Sequence, residues 1–367
     1  MNVTPLLGVA ITLVALVCLS LVGLTVLTRL RRHRRERVLA RLAAPHRLLV
    51  LEVSAGEDED DAAFEQLAGL DRRTWTSLRP AVTAMLGKVR GIPAERLVEI
   101  LRRHGDIDLA RRRLTSASPV RRARGAHLLG LARDGASVPA LIRLLSDPDP
   151  EVPLVVARSL GHIGDARAAE AVLRAVPSRR ARPHRGVGIP AWVAAEALMA
   201  MVPQAESVIQ HGVIDPDPTI RGVAVSVAGH SIMPATTELL RARLAVEEDP
   251  SVRAGIAAAL GHVGTAGDVA ALVRATAPQE SAALRRACAT ALGELGHPDG
   301  ADRLALLLGD QDRRLAQLSA QSLVQLGGVG LDHLRAARAQ GEQAAAAARA
   351  AWELAGLRSV PGVVAAP

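Results

Sequence analysis

Apolar positions divide this chain into three patterns. The first is a continuous run, Leu6 to Leu27, LLGVAITLVALVCLSLVGLTVL, 22 residues without a charged side chain. At 1.5 Å per residue such a helix is about 33 Å long, enough for a hydrocarbon core of about 30 Å. The run therefore predicts a transmembrane helix. A cleaved secretory signal fits less well, because no basic residue precedes the run and no A-x-A site follows it. Met1–Pro5 carries no basic side chain, whereas Arg29, Arg31, Arg32, Arg34, Arg35 and Arg37 follow at once. The positive-inside rule then puts the amino terminus outside and everything from Arg29 onward in the cytoplasm.

The second pattern is short and interrupted. His46–Val53 is apolar enough for a short helix. Gly56–Asp61 reads GEDEDD, a like-charge run expected to be a solvated linker. The sharper alternative is a latch, in which Glu57–Asp61 folds back on Arg31–Arg37. Phe64–Leu70, Thr76–Val89 and Ala94–His104 place apolar residues at helical spacing, and Asp106–Leu114 continues them.

The third pattern is periodic. Segments beginning at Asp147, Asp215, Glu248 and Gln279 align, with Gly130, Gly161, Gly229, Gly261 and Gly293 spaced by 31, 68, 32 and 32 residues. The interval of 68 covers two units, the inner one degenerate and centred on Ala194–Met201, and a seventh unit is Asp310–Ala337. A fixed period of this size predicts stacked two-helix units, each too thin to bury its own apolar face. In each, Asp-Pro opens the first helix as cap and first turn. The repeat glycine is expected to end that helix in a left-handed cap, with Gly164, Gly264 or Gly296 finishing the turn.

Composition agrees with helix. Aromatics are 1 %, with no tyrosine, which argues against all-β folds and against single-strand readers built on stacking. Cys18 and Cys288 cannot form a disulfide framework. The net charge of +8 is local: residues 1–50 hold eight arginines against one acid, Glu36, so the body is nearly neutral and nucleic acid is not an expected partner. Lys88–Arg124 is the one strong basic excess on the body.

The pattern D-P-x-x-V-R-x-x-A-x-x-A-L-G-x-x-G, carried with minor departures by Asp249–Gly264, resembles a HEAT repeat of the short type also seen in phycobilisome lyases. The resemblance covers roughly 115–340 and implies an all-α fold, an α-α superhelix. It implies that an acid and the arginine after the valine pair between neighbouring units. Arg121, Arg221, Arg253 and Arg285 match that arginine, and Pro153 interrupts the series. It further implies that second helices line a concave surface, where Arg143, Arg174, Arg241 and Arg274 would form a basic stripe for a partner. Relatives that are di-iron hydroxylases use His-Glu pairs. Here His162, His230 and His262 are followed by Ile163, Ser231 and Val263, so they are expected to be exposed turn histidines.

One insertion breaks the period. Pro177–Pro190 replaces an Asp-Pro turn and holds Arg179, Arg180, Arg182 and Arg185, making it the leading candidate contact loop. Trp192 follows and is expected at a repeat interface. No HExxH, G-x-x-x-x-G-K-[ST] or G-x-S-x-G occurs, so no catalytic, cofactor or metal residue is assigned.

The expected organisation is a transmembrane anchor over 1–28, a basic juxtamembrane segment with an acidic linker over 29–62, a helical adaptor over 63–116, HEAT-like repeats over 117–340 and a capping helix with tail over 341–367. Arg29, Arg31, Arg32, Arg34, Arg35 and Arg37 would meet the membrane surface and anionic headgroups. The expected function is a non-enzymatic scaffold holding a protein partner, such as a membrane-associated enzyme, at the inner membrane face. The repeat type implies an alternative, a phycobilin-lyase-like enzyme; a HEAT-like nucleic-acid-binding protein ranks below it. Pigment binding on co-expression would favour the lyase, and salt-steep binding to duplex DNA the last.

Overall fold

The computed structural model describes residues 20, 22, 25, 29, 41–58, 60–177, 188–202, 204–337 and 342–358. All regular structure among them is helical. They fall into two compact units, Met1–Arg112 and Arg113–Pro367. Of Leu6–Leu27 only Ser20, Val22 and Thr25 are among the described residues, and no helix among the described residues is long and apolar enough to cross a membrane.

The first unit contains α1 (Arg47–Ala55), α2 (Ala62–Ala68), α3 (Arg72–Leu86), α4 (Ile92–Arg103) and α5 (Asp106–Arg113). Their apolar stripes converge on a core that includes Val53, Leu67, Leu78, Val82, Leu97 and Ile100. Trp75 is buried there too, its ring stacked on His104 at 3.9 Å and its Nε1 donating to Asp106 at 2.6 Å. The acidic run is not simply a solvated linker. Asp58 is buried and accepts from the backbone N–H of Ala63 and Phe64, which caps α2. Arg96 on α4 pairs with Asp58 and, at 2.7 Å, with Asp61. Two of the five carboxylates are thus held by the folded body. Arg31–Arg37 lies outside the described residues.

The second unit is a series of two-helix repeats. First helices are α6 (Pro119–Leu131), α8 (Glu151–Ile163), α10 (Ala191–Met199), α12 (Pro218–Ala228), α14 (Pro250–Val263), α16 (Ala282–Leu295) and α18 (Arg313–Gln325). The paired second helices are α7 (Val138–Leu144), α9 (Ala169–Arg174), α11 (Glu206–Val213), α13 (Pro234–Val246), α15 (Val269–Arg274), α17 (Ala301–Leu307) and α19 (Gly328–Ala337). Each first helix packs on the next in chain order. A last helix, α20 (Glu342–Arg358), lies on α18 and α19 and buries Ala344, Ala347, Ala348 and Ala351. The Trp352 side chain lies outside the described residues.

The Asp-Pro turns at Asp217 and Asp249 cap their helices as expected, as does Asp312 without a proline, whereas at Asp149-Pro150 the N-cap is Pro150, which offers no side-chain cap. Asp217 accepts from Thr219 N–H, Asp249 from Ser251 and Val252, and Asp312 from Arg314 and Leu315. The repeat glycine does not behave as expected. Gly130, Gly161, Gly229, Gly261 and Gly293 all lack a positive φ. They sit where adjacent first helices cross. A Cβ on Gly130 would meet Ser159 Cα at 2.6 Å, one on Gly161 would meet Ala197 Cα at 2.9 Å, and one on Gly229 would meet Ala259 Cβ at 2.9 Å. One on Gly261 would meet Ala291 Cα at 2.8 Å, and one on Gly293 Ser322 Cβ at 2.6 Å. Each faces an alanine or serine on the next first helix, and at Gly261 and Gly293 the side-chain ends of Glu294 and Gln325 stand as close, at 2.6 and 2.5 Å. Left-handed caps do occur at Gly164 and Gly296, with φ of 74° and 69°, but Gly264 has φ −76°.

Cys288 in α16 is 0 % exposed, and burial pushes its thiol up to about 12. In a Cys18→Ser background the folded chain should not react with a maleimide at pH 8, and should react fully in denaturant; fast labelling without denaturant would refute this packing.

Candidate functional site

Neighbouring repeats are joined by charge as well as by close packing. Asp147, Asp215, Glu247 and Asp310 each accept an arginine from an earlier unit and also the backbone N–H two residues on, and Glu280, beside the cap Ser281, takes an arginine alone. Arg122 pairs with Asp147 at 2.6 Å and Arg253 with Glu280 at 2.7 Å. Arg285 pairs with Asp310, and Asp310 accepts from Asp312 N–H. In the fourth unit Arg221 donates to Glu247 at 2.6 and 2.8 Å, and both side chains are buried. Burial alone would raise the Glu247 carboxyl. Hydrogen bonds from Arg221, Asp249 N–H and Arg243 outweigh it and hold the group at about 2.

The first rung corrects the expected register. Arg121 is exposed and Arg122 makes the pair, because the paired arginine stands three residues after the helix's first proline, as in Pro218–Arg221 and Pro250–Arg253. Pro153 removes the arginine in the second unit. In the third unit Val193 stands at the arginine's place, and Asp215, before the fourth unit, is served by Arg174 of α9 at 2.6 Å.

The four arginines expected to form a stripe therefore differ in state. Arg174 is engaged by Asp215 and Glu170, and Arg241 by Asp268 and Glu238. Arg143 and Arg274 are exposed and make no ion pair among the described residues. Arg179, Arg180, Arg182 and Arg185 lie outside the described residues, as do Arg31, Arg32, Arg34, Arg35 and Arg37; Arg29 is exposed.

The second unit also holds a site that the sequence reading missed. Three residues before the repeat glycine stand His127 and Arg158 in the first two units, but Ser226 and Ala258 in the fourth and fifth. With small side chains there, the outward faces of α12 and α14 leave an open groove of ≈ 510 Å³. Thr219, Gly222 and Ser226 line it along α12, and Ser251, Gly255 and Ala258 along α14. Trp192 of α10 forms one wall. It is 60 % exposed, not buried at a repeat interface as expected, and the Arg158 guanidinium lies 5.3 Å over its ring.

His230 and His262 bound one end, with ring centroids 6.0 Å apart. His230 stands in the turn that follows α12, as expected, whereas His262 belongs to the last turn of α14. Each Nδ1 donates to the carbonyl four residues back, Ser226 at 2.7 Å and Ala258 at 3.0 Å, which leaves Nε2 outermost. Among the described residues no group of three or more His, Cys, Asp or Glu side chains could hold a metal ion. The groove is a largely apolar surface with an exposed aromatic at its wall.

No curated protein matches this chain. Among solved structures it is similar to an engineered protein, at 17% identity over 88% of this chain and 98% of the other, with a TM-score of 0.39. It is similar to the complex of CpcE and CpcF of phycocyanin lyase from Nostoc sp., at 19% identity, covering 74% and 93% of the two chains, with a TM-score of 0.28. It is also similar to Kap95p in its complex with RanGDP, at 11% identity, covering 88% of this chain and 53% of the other, with a TM-score of 0.48. A family described as HEAT repeats matches residues 107–187 and 205–280. With helices stacked in pairs at this period and joined by arginine–carboxylate rungs, these two segments are HEAT repeats.

Proposed function

We propose that this chain is a non-catalytic scaffold that holds a protein partner at the cytoplasmic face of a membrane. Leu6–Leu27 would span the bilayer, and Arg29 to Arg37 would lie against anionic headgroups. The repeats would present the partner-binding surface, and tethering would raise the partner's local concentration at the bilayer. The observation that carries the partner-binding half is the open apolar groove beside Trp192, an aromatic 60 % exposed in a chain whose aromatics total 1 %. Exposed Arg143 and Arg274, and the Pro177–Pro190 insertion, are secondary contact candidates.

The test is crosslinking of the full-length protein in native membranes, comparing wild type, Trp192→Ala and a variant lacking Pro177–Pro190. A stoichiometric partner is expected with the wild type. Loss of a central tryptophan should reduce its capture at least tenfold, an effect of more than about 1.4 kcal/mol. Equal capture by Trp192→Ala would remove the groove from the reading, and extraction of the wild type by carbonate would remove the anchor.

A further inference from the structure

We infer that the groove receives one α-helix of the protein partner, about three turns long, apolar on the inserted face and basic at its flanks. This rests on the scaffold reading above and names the class of partner.

The trough runs lengthwise between α12 and α14, from Pro218 to His230 on one side and from Ser251 to His262 on the other. Twelve residues at 1.5 Å each make about 18 Å, the length of some three helical turns. Its floor is Thr219, Gly222 and Ser226 against Ser251, Gly255 and Ala258, all small and spaced by three or four. Small residues at that spacing let another helix approach to backbone contact. A peptide strand has no edge to join, since the described residues contain no sheet.

The two floor glycines are not required for clearance inside the chain. A Cβ on Gly222 would meet only Val252 Cγ2, at 4.0 Å, and one on Gly255 only Val225 Cγ1, at 3.5 Å, both ordinary contacts. Gly229 and Gly261, on the same two helices, meet the next helix at under 3.0 Å. Glycine weakens a helix interior relative to alanine. At these two positions the chain accepts a weakened helix, and the result is a low outer face.

The charges around the trough select the flanks. None of its lining residues is lysine or arginine. Asp249 lines one end with exposed Glu248 beside it, and Glu294 lies 3.7 Å from His262 at the other. The nearby cation, Arg158, is taken up by the Trp192 ring and by Glu196 at 3.9 Å. In a chain of net charge +8 this rim is locally acidic, which favours basic flanks and disfavours phosphate-bearing ligands.

The test uses the full-length protein in nanodiscs of neutral phosphatidylcholine. The probe is a labelled synthetic 14-residue helix with an Ala/Leu face and lysines at both ends, set against a twin with glutamates at the ends. Anisotropy should show the lysine peptide binding at least tenfold tighter than its twin, and not to empty nanodiscs. Gly222→Leu with Gly255→Leu should abolish the binding. Gly222→Ala with Gly255→Ala, which keeps the fold and raises the melting temperature, should weaken it severalfold. Glu248→Lys with Glu294→Lys should reverse the preference between the peptides. Equal binding of both peptides, undiminished binding by the alanine variant, binding to empty nanodiscs, or occlusion of the face by a second copy of the chain would each overturn the inference. Trp192-dependent capture in membranes with no peptide binding would leave the scaffold standing and remove the helix; peptide binding without capture would do the reverse.

Discussion

Replacing Gly261 with valine is expected to destabilise the repeats by about 3 kcal/mol, the upper range for overpacking a tight contact. The cause is local and stiff. A Cβ at 261 would stand 2.8 Å from the Ala291 Cα and 2.9 Å from its Cβ. The obstacle is the backbone of α16, so no rotamer change relieves it; the two helices must separate. A fall in melting temperature of roughly 10 °C follows for a unit of this size. Gly255→Ala, six residues earlier in the same helix, should do the opposite and add about 0.5–1 kcal/mol, because its Cβ meets nothing closer than 3.5 Å. Two glycines in one helix with opposite signs make the comparison self-controlled. Unchanged melting of Gly261→Val would show that the helices do not cross as described.

The second large effect lies in the fourth unit. Glu247→Ala is expected to cost about 3–5 kcal/mol, since it leaves the Arg221 guanidinium buried with only the Asp215 and Pro216 carbonyls as acceptors. Removing both charges, as Arg221→Met with Glu247→Leu, should recover most of the loss. Because the Glu247 carboxyl is held at about 2 against an ordinary 4.5, its contribution is complete above pH 4.5 and disappears as the pH falls toward 2. Asp268, Asp310 and Asp312 are lowered as well: burial raises the first two and Arg241 and Arg285 outweigh it, while for Asp312 the Arg286 pair leads. Wild-type stability should therefore drop steeply over that window, and Glu247→Ala should show a shallower slope. Parallel pH profiles for the two proteins would contradict the rung.

Much of the architecture was legible because it repeats. The glycine spacing and the Asp-Pro turns located the units before any helix was placed. The meaning of the glycine was harder to see. A glycine near a helix end fits a left-handed cap equally well, and only the neighbouring helix reveals that it is there for clearance. The recurring triplets Ser159-Leu-Gly161, Ala259-Leu-Gly261 and Ala291-Leu-Gly293 held the signal, since the small residue receives the glycine of the preceding unit. Aligning on proline rather than valine would have found Arg122. The groove had no such marker. It is made by side chains that are missing, and Ser226 and Ala258 become an opening only once their helices lie together. In the same way, a run of five acids does not say which carboxylate turns inward; Asp58 does so because α2 begins where its side chain can meet Ala63 and Phe64 N–H.

The clearance pairs also limit how such a gene can change its length. A unit carries a small residue for its predecessor and a glycine for its successor, so copying or deleting one leaves every junction chemically the same. Among the inner units the third and fourth are the exception, as the terminal first and seventh, with Leu128 and Val324, are at the ends. The third has Ala197 but puts Met199 where the glycine belongs, and the fourth has Gly229 but puts Val227 where the small residue belongs. Removing the fourth alone would set Met199 against Ala259; removing the third alone would set Gly161 against Val227. Excising both would join Gly161 to Ala259 in an ordinary pair. The junction chemistry therefore lets these two units be removed only as one block, and the groove beside them goes with it.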